Sequence, residues 1–252
     1  MRGVAWPRIV CEDAATLAQV AAELVYSTMV QAVATRGVAR IALSGGSTPR
    51  AAYQQLARLP FERGRIRWFW VDERSVPPSH ERSNYAMAQA ELLGPGCIPA
   101  ETVFRMAAEC EPITRAASDY GQRLLREFGM SRDEALRLDG AGRSSLAFDM
   151  MVVGMGPDGH TASLFPGTGA AERDDDLVVP VQPRADLESR LSLTRPILTG
   201  ARRILLLCTG ADKREMLARA REPGSEDQVP ARIYQRARSG SLTVLVDRAV
   251  AG

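Results

Sequence analysis

The chain has only two histidines, and His160 stands two residues after Asp158 in a stretch punctuated by Gly154, Gly156 and Gly159. Imidazole gains and loses a proton near neutral pH, and a carboxylate beside it can orient or polarise it. The pairing suits a general base. A lone histidine is more often structural or merely solvated, but the position of this one argues for chemistry. The apolar run Phe148 to Val153 ends abruptly in glycines, and Asp158, His160, Thr161 and Ser163 follow. That is the pattern of a buried parallel strand opening into a functional loop at its carboxyl end. The segment Gly154-Met155-Gly156-Pro157-Asp158-Gly159 also meets the G-x-G-x-x-G dinucleotide fingerprint literally. Its context does not fit. The fingerprint opens a long apolar helix, whereas here His160 and Thr161 follow the third glycine and Pro166-Gly167 closes the segment.

Three further stretches carry candidate chemistry. Ser44-Gly45-Gly46-Ser47-Thr48-Pro49 lies between an apolar strand and a helix. Its glycines allow close backbone approach, the helix start offers free N–H groups to an anion, and the hydroxyls add donors. It reads as a phosphate site or, more plainly, as a capped turn; the lysine and spacing of a Walker loop are absent. Asp72-Glu73-Arg74 reads either as a solvated charged turn or as Arg74 facing a substrate oxygen with a carboxylate fixing it. His80, Arg82, Ser83 and Asn84 continue this polar loop, with His80 a surface residue. Arg190 is either an edge-strand arginine or a phosphate contact acting with Lys213. Lys213 is the single lysine among 32 basic residues. A chain that uses arginine almost everywhere and keeps one lysine hints that a compact ammonium is wanted there.

The elements that must position these residues follow from periodicity. Cys11 to Arg36 repeats apolar residues at helical spacing and stops at Gly37. Ala39–Leu43, Ile66–Val71, Phe148–Val153, Arg203–Cys208 and Leu242–Val246 read as buried strands. Helices are expected from about Arg50 to Leu59, with Pro49 at the first position and Ser47 or Thr48 as cap. Further helices are expected over Asn84–Leu93 and Pro112–Phe128, and one after Thr209-Gly210-Ala211-Asp212 that carries Lys213. Leu177–Val181 and Arg190–Leu193 look like strands of a small edge or antiparallel unit, and Ser131–Ser145 like a helix piece plus loop. The expected fold is α/β: a three-layer α/β/α, Rossmann-like, mainly parallel sheet with that small unit, in a single domain over residues 1–252. Four loops then end strands at one edge: Ser44–Pro49, Asp72–Arg74, Gly154–His160 and Thr209–Lys213. Ligands bind there in such sheets.

Composition bounds the rest. The 252 residues, 45% hydrophobic and 25% charged, describe an ordinary globule with a sizeable core. A net charge of +2 gives no reason to expect nucleic acid or a membrane surface as partner. No apolar run approaches the ~20 residues of a membrane span, and the first residues lack the apolar core of a signal peptide. Cys11, Cys97, Cys110 and Cys208 are far apart and read as buried free thiols of a cytoplasmic protein, not as a zinc site.

Taken together, Leu43 to Pro49, Asp72 to Pro77 with Ser83-Asn84-Tyr85, and Gly154 to Gly167 resemble the glucosamine-6-phosphate isomerase/6-phosphogluconolactonase family, in order and spacing from about Val10 to Ala249. The resemblance implies hydrolysis of 6-phospho-D-glucono-1,5-lactone in the oxidative pentose phosphate pathway, a monomer, and no metal or organic cofactor. It implies that His160 is the base and Arg74 an active-site contact. Asp158 or Asp72 would orient the site; Ser44, Gly45, Gly46, Ser47, Thr48, Arg190 and Lys213 would hold the phosphorylated substrate. The sister activity of the family, isomerisation and deamination of glucosamine 6-phosphate, typically has Asp-Glu-Tyr at positions 72–74 and an Asn-Glu-Pro after the histidine. Leu164-Phe165-Pro166 supplies no such carboxylate. A non-catalytic sugar-phosphate sensor is a third reading, against which the presence of both His160 and Arg74 argues.

Overall fold

A computed structural model describes residues 6–183 and 187–252. The strands are β1 (Arg8–Cys11), β2 (Ala39–Leu43), β3 (Ile66–Trp70), β4 (Asp72–Arg74), β5 (Met150–Gly154), β6 (Val178–Val181), β7 (Arg190–Leu193), β8 (Ile204–Cys208) and β9 (Leu242–Asp247). The helices are α1 (Ala14–Arg36), α2 (Ser47–Leu56), α3 (Asn84–Ala88), α4 (Ile113–Phe128), α5 (Arg132–Ala135), α6 (Arg195–Gly200), α7 (Arg214–Arg221) and α8 (Arg248–Ala251).

Six strands form a parallel sheet in the order β1-β9-β8-β5-β2-β3, covered by helices on both sides. The register sets Leu43 beside Trp70 and Gly154 beside Leu207, so the carboxyl ends of the inner strands finish level. Strand order reverses between β2 and β5, and loops leaving on either side of that switch open a crevice. The two central strands, β8 and β5, are apolar throughout, as burial on two faces requires: all of β8 is buried and only Gly154 of β5 is not. Phe148, expected to open this strand, instead packs edge-on to Phe69 and Phe128 just below it.

The chain leaves the parallel sheet through a single residue. Val71 donates its N–H to Leu43 O of β2 at 2.9 Å, and its own C=O accepts from Leu193 N of β7 at 2.8 Å. One residue later β4 pairs antiparallel with β7, and β7 with β6. The small antiparallel unit is therefore real, and Asp72–Arg74 is its first strand rather than a loop.

Local chemistry explains where the elements begin and end. Asp13 caps α1 by accepting from Thr16 N at 2.8 Å, and Gly37, at φ 75, closes it. The expected start at Cys11 is corrected, because Cys11 ends the edge strand β1. That strand has three exposed residues and no alternation to betray it. Helix α1 is long and apolar enough to cross a bilayer by composition, but Leu17, Ala21, Val25 and Met29 are buried against the core. Helix α2 begins earlier than expected. Gly46 is its N-cap and bonds through no side chain, so Ser47 and Thr48 lie inside the first turn and Pro49 is third. Helix α3 is capped by Ser83 and runs on as a π-helical turn over Gln89–Leu93. In the arginine-rich segment, Ser131 and Glu134 make a reciprocal capping box for α5. All four cysteines are free, but only Cys11 and Cys208 are buried; Cys97 and Cys110 are exposed, against expectation. Burial pushes the Cys208 thiol up to about 12.

At the opposite edge of the sheet, buried Asp149 accepts from Arg40 N at 2.8 Å and from the Arg36 guanidinium at 2.7 Å. Asp149→Ala leaves that buried N–H unpaired. A loss of about 2 kcal/mol is expected, seen as a lower urea midpoint at unchanged m-value.

Candidate active site

The crevice leaves room of about 200 Å³ and opens to solvent, a concave site of the kind that takes a small molecule. His160, Asp72, Arg74, Asn84, Arg190, Lys213 and the whole of Ser44–Pro49 line it.

The loop after β5 presents the base. His160 Nδ1 lies 2.6 Å from Asp158 Oδ1, which also accepts the His160 backbone N–H at 3.1 Å. Partial burial pushes the Asp158 carboxyl up, but bonding to His160 outweighs it and leaves Asp158 below the usual carboxylate range. In a neutral imidazole, a carboxylate at Nδ1 favours the proton there and puts the lone pair on Nε2; among the described residues nothing bonds Nε2. A Cβ on Gly156 would sit 2.2 Å from the imidazole, so only glycine admits the ring. Gly159 takes φ +85 to turn the loop. Behind it, Thr161 Oγ1 donates to Gly154 O at 2.9 Å and meets the buried Tyr234 hydroxyl at 2.8 Å. Ala231 N donates to Gly159 O at 2.9 Å. The segment 225–236 thus braces the loop, a role with no sequence signal.

The carboxylates of β4 divide their work. Asp72, 5% exposed, accepts from the Ser163 hydroxyl at 2.6 Å and faces the crevice. It therefore joins the small sheet to the histidine loop. The Asn84 amide donates to Asp72 O at 2.9 Å. Asn84 in turn packs on Gly45, where a Cβ would lie 1.8 Å from its Oδ1. Glu73 does not hold the Arg74 guanidinium, which instead donates to Arg82 O. Its carboxylate accepts the backbone N–H groups of Arg74, Asn84 and Tyr85, each at 2.8 Å, and the Ser83 hydroxyl at 3.0 Å. Burial raises the Glu73 pKa; those four donors act against the rise.

Cations crowd the remaining walls. Arg74 and Arg190 face each other as register partners across β4 and β7. Burial, then repulsion from Arg74, lowers the Arg190 pKa. Like charges so placed are destabilising without an anion to share. The start of α2 aims uncapped N–H groups into the crevice. Its Thr48 hydroxyl lies 2.7 Å from that of Thr209, tying α2 to the loop after β8. Lys213 ends a 3-10 turn over Ala211–Lys213 and is the N-cap of α7, not a residue within a helix as expected. A cation at a helix N-terminus opposes the helix dipole, which speaks for a use elsewhere. Ser44 Oγ, Asn84 Oδ1, Arg74 Nε and Arg190 Nε are buried without hydrogen-bond partners, and all four residues line the crevice. Unpaired buried groups gathered at one place point to a polar ligand.

Of the residues expected from sequence, His160, Arg74, Asp72, Ser44, Gly45, Gly46, Ser47, Thr48, Arg190 and Lys213 all meet here; Asp158 stands behind His160 rather than on the wall. Sequence reasoning missed Ser163 as the partner of Asp72, and Tyr53, whose hydroxyl accepts from Ser44 N at 3.0 Å and donates to Ser44 O at 2.9 Å. It read His80 as a surface residue; that ring is half-buried, and its Nδ1 accepts from Arg82 N at 3.1 Å. Among the described residues no group of three His, Cys, Asp or Glu could hold a metal.

Comparison with known proteins gives a consistent picture. The family model for glucosamine-6-phosphate isomerases/6-phosphogluconolactonase matches residues 12–244. A 6-phosphogluconolactonase of Rhizobium meliloti is 32% identical over 244 residues, spanning 92% of this chain and 95% of the relative. One from Synechocystis sp. is 36% identical over 227 residues, 89% of this chain and 88% of the relative. The solved 6-phosphogluconolactonase from Trypanosoma cruzi superposes with a TM-score of 0.85 at 28% identity, covering 99% of this chain and 97% of that one.

Glu73 supplies a pH test of the site's scaffold. Its native pKa is raised above the unfolded value, so the native state holds the extra proton. Its contribution is complete below the ordinary glutamate range and declines as pH climbs through the raised native value. Urea unfolding across that window should show wild-type stability falling relative to Glu73→Gln, which has no such proton. Glu73→Gln itself should be about 2 kcal/mol less stable at acid pH, because the amide brings two hydrogens among donors, whereas the protonated carboxyl brings one that the Ser83 hydroxyl can accept.

Proposed function

The chain belongs to the glucosamine-6-phosphate isomerase/6-phosphogluconolactonase family, and from that membership we propose that it hydrolyses 6-phospho-D-glucono-1,5-lactone to 6-phospho-D-gluconate with a water activated by His160. The carrying observation is the His160–Asp158 pair at 2.6 Å, with Nδ1 engaged and Nε2 free at the crevice wall. A lactone is a reactive ester that requires a water, a base and stabilisation of the charge forming on its carbonyl oxygen. His160 Nε2 takes a proton from water as the oxygen attacks C1. Asp158 steadies the imidazolium that results. Arg74, whose Nε is otherwise unpaired, faces the oxyanion; one well-placed donor contributes about 3–4 kcal/mol there. When the ring C–O bond breaks, the imidazolium returns its proton to the departing ring oxygen. The new carboxylic acid then ionises. No covalent intermediate is needed.

The 6-phosphate is held by the uncapped start of α2, with the Ser47 and Thr48 N–H groups, and by Lys213 and Arg190. An anion placed there relieves the opposition of Arg190 to Arg74. Phe165 stands against His160 where ring opening of an amino sugar would need a carboxylate, which favours the lactone over glucosamine 6-phosphate. The reaction belongs to the oxidative pentose phosphate pathway, and four unpaired thiols accord with a reducing cytoplasm.

The deciding experiment offers fresh lactone and glucosamine 6-phosphate side by side, following acid and ammonia release above the spontaneous rates. Accelerated acid release supports the proposal; ammonia without it overturns the choice. His160→Ala should lower kcat at least about 100-fold, and a near wild-type rate at pH 7 would remove His160 as the base. Gly156→Ala, whose methyl group would meet the imidazole, should lower kcat at least about tenfold with the fold intact by circular dichroism. Arg190→Ala should raise KM about tenfold or more.

A further inference from the structure

The base and the phosphate-holding arginine come from different sheets, yet one side chain touches both. The Phe165 ring lies against the His160 imidazole with centroids 4.6 Å apart and planes tilted by 32°. The Arg190 guanidinium carbon lies 5.4 Å from the centroid of the same ring. Each neighbour needs holding. His160 has Asp158 on one ring nitrogen only, and a single bond does not by itself set the tilt of the ring. Arg190 is opposed by Arg74 across the strand pair; its nearest carboxylate among the described residues, Glu188, is 3.7 Å away and also serves Arg82 at 3.0 Å. An aromatic face answers both needs, since it packs flat on imidazole and attracts a guanidinium.

The backbone beneath Phe165 is fixed independently of its ring. Phe165 O accepts the Thr168 hydroxyl at 2.8 Å, Gly167 N donates to Asp227 O at 3.0 Å, and Gly169 N donates to Asp227 Oδ1 at 2.7 Å. Removing the ring therefore empties its contacts without releasing the loop. We propose that Phe165 is a positioning residue that couples the general base to the phosphate anchor: its ring holds the His160 imidazole at its working angle and holds Arg190 over the phosphate. The proposal rests on the lactonase reading. It differs from the simpler role of filling space in that loss of the ring must affect both chemistry and binding.

The test compares Phe165→Leu, Phe165→Met and Phe165→Tyr. Methionine, unbranched and flexible, fills an irregular space better than leucine without a ring, so it serves if the leucine variant folds poorly. Loss of the ring should lower kcat about tenfold through the base and raise KM about threefold through Arg190, while Phe165→Tyr restores most of both. In an Arg190→Ala background, loss of the ring should raise KM no further, although kcat still falls. Values of kcat and KM within twofold of wild type in Phe165→Met, or a tyrosine variant as impaired as methionine, overturn the proposal. A second readout needs no substrate. With only two histidines, the Nδ1 proton of His160 bonded to Asp158 can be followed by NMR in the free protein. It should be sharp in wild type and Phe165→Tyr, and broadened or lost in Phe165→Met. Its persistence in Phe165→Met overturns the proposal. If wild type fails to accelerate lactone hydrolysis, the functional reading falls and this signal alone decides the role of Phe165.

Discussion

Val71 joins the two sheets with its two backbone groups, and the site depends on that junction. Its N–H completes the ladder to β2 and its C=O begins the contact with β7. Neither group can shift without leaving a buried partner unpaired, so the antiparallel unit cannot slide over the parallel sheet. Asp72, the next residue, carries the constraint into side chains: it accepts from Ser163 on the histidine loop and lies beside Asn84, which fills the space over Gly45. Three strand ends are thereby fixed to one another around a single carboxylate. His160 arrives from the parallel sheet, Arg74 and Arg190 from the small one, and their separation is set by backbone bonds rather than by their own flexible side chains.

The site is assembled from features that do not serve stability. Two arginines oppose each other in register, a helix begins without a side-chain cap, and a lysine stands at a helix N-terminus. Each is an electrostatic fault that an anion in the crevice would offset. The acidic residues, in contrast, are all committed to structure or to the base. Glu73 gathers four donors at the start of α3, Asp72 joins the sheets, and Asp158 holds His160. The crevice is left with an excess of positive charge and one histidine base, the combination that a phosphorylated, electrophilic ester needs.

Much of the fold could be read along the chain because buried parallel strands announce themselves. The run Ile204–Cys208 has no other comfortable place than the middle of a sheet, and Leu242–Val246 likewise. Where burial is one-sided or short, the signal failed. The edge strand β1 was absorbed into the following helix, and Asp72–Arg74 looked like a charged loop because three polar residues show no strand pattern. Residue type alone predicts core positions for Cys97 and Cys110, whereas both are exposed.

By itself the sequence determined the chemical inventory of the site: a histidine two residues from an aspartate, a Gly-Gly-Ser-Thr turn before a helix, a lone lysine, and strand ends to present them. These are local facts, since a loop's glycines and a helix's first turn are settled within a few residues. The tertiary structure alone decided which carboxylate does what, and which side chains share a wall. Asp158 and not Asp72 holds the imidazole, Arg190 faces Arg74, and Phe165 reaches both His160 and Arg190. Those pairings join residues up to 116 positions apart, Arg74 and Arg190, and they follow from the register of one sheet against another. No spacing along a chain encodes such a register; the packing of the whole core does.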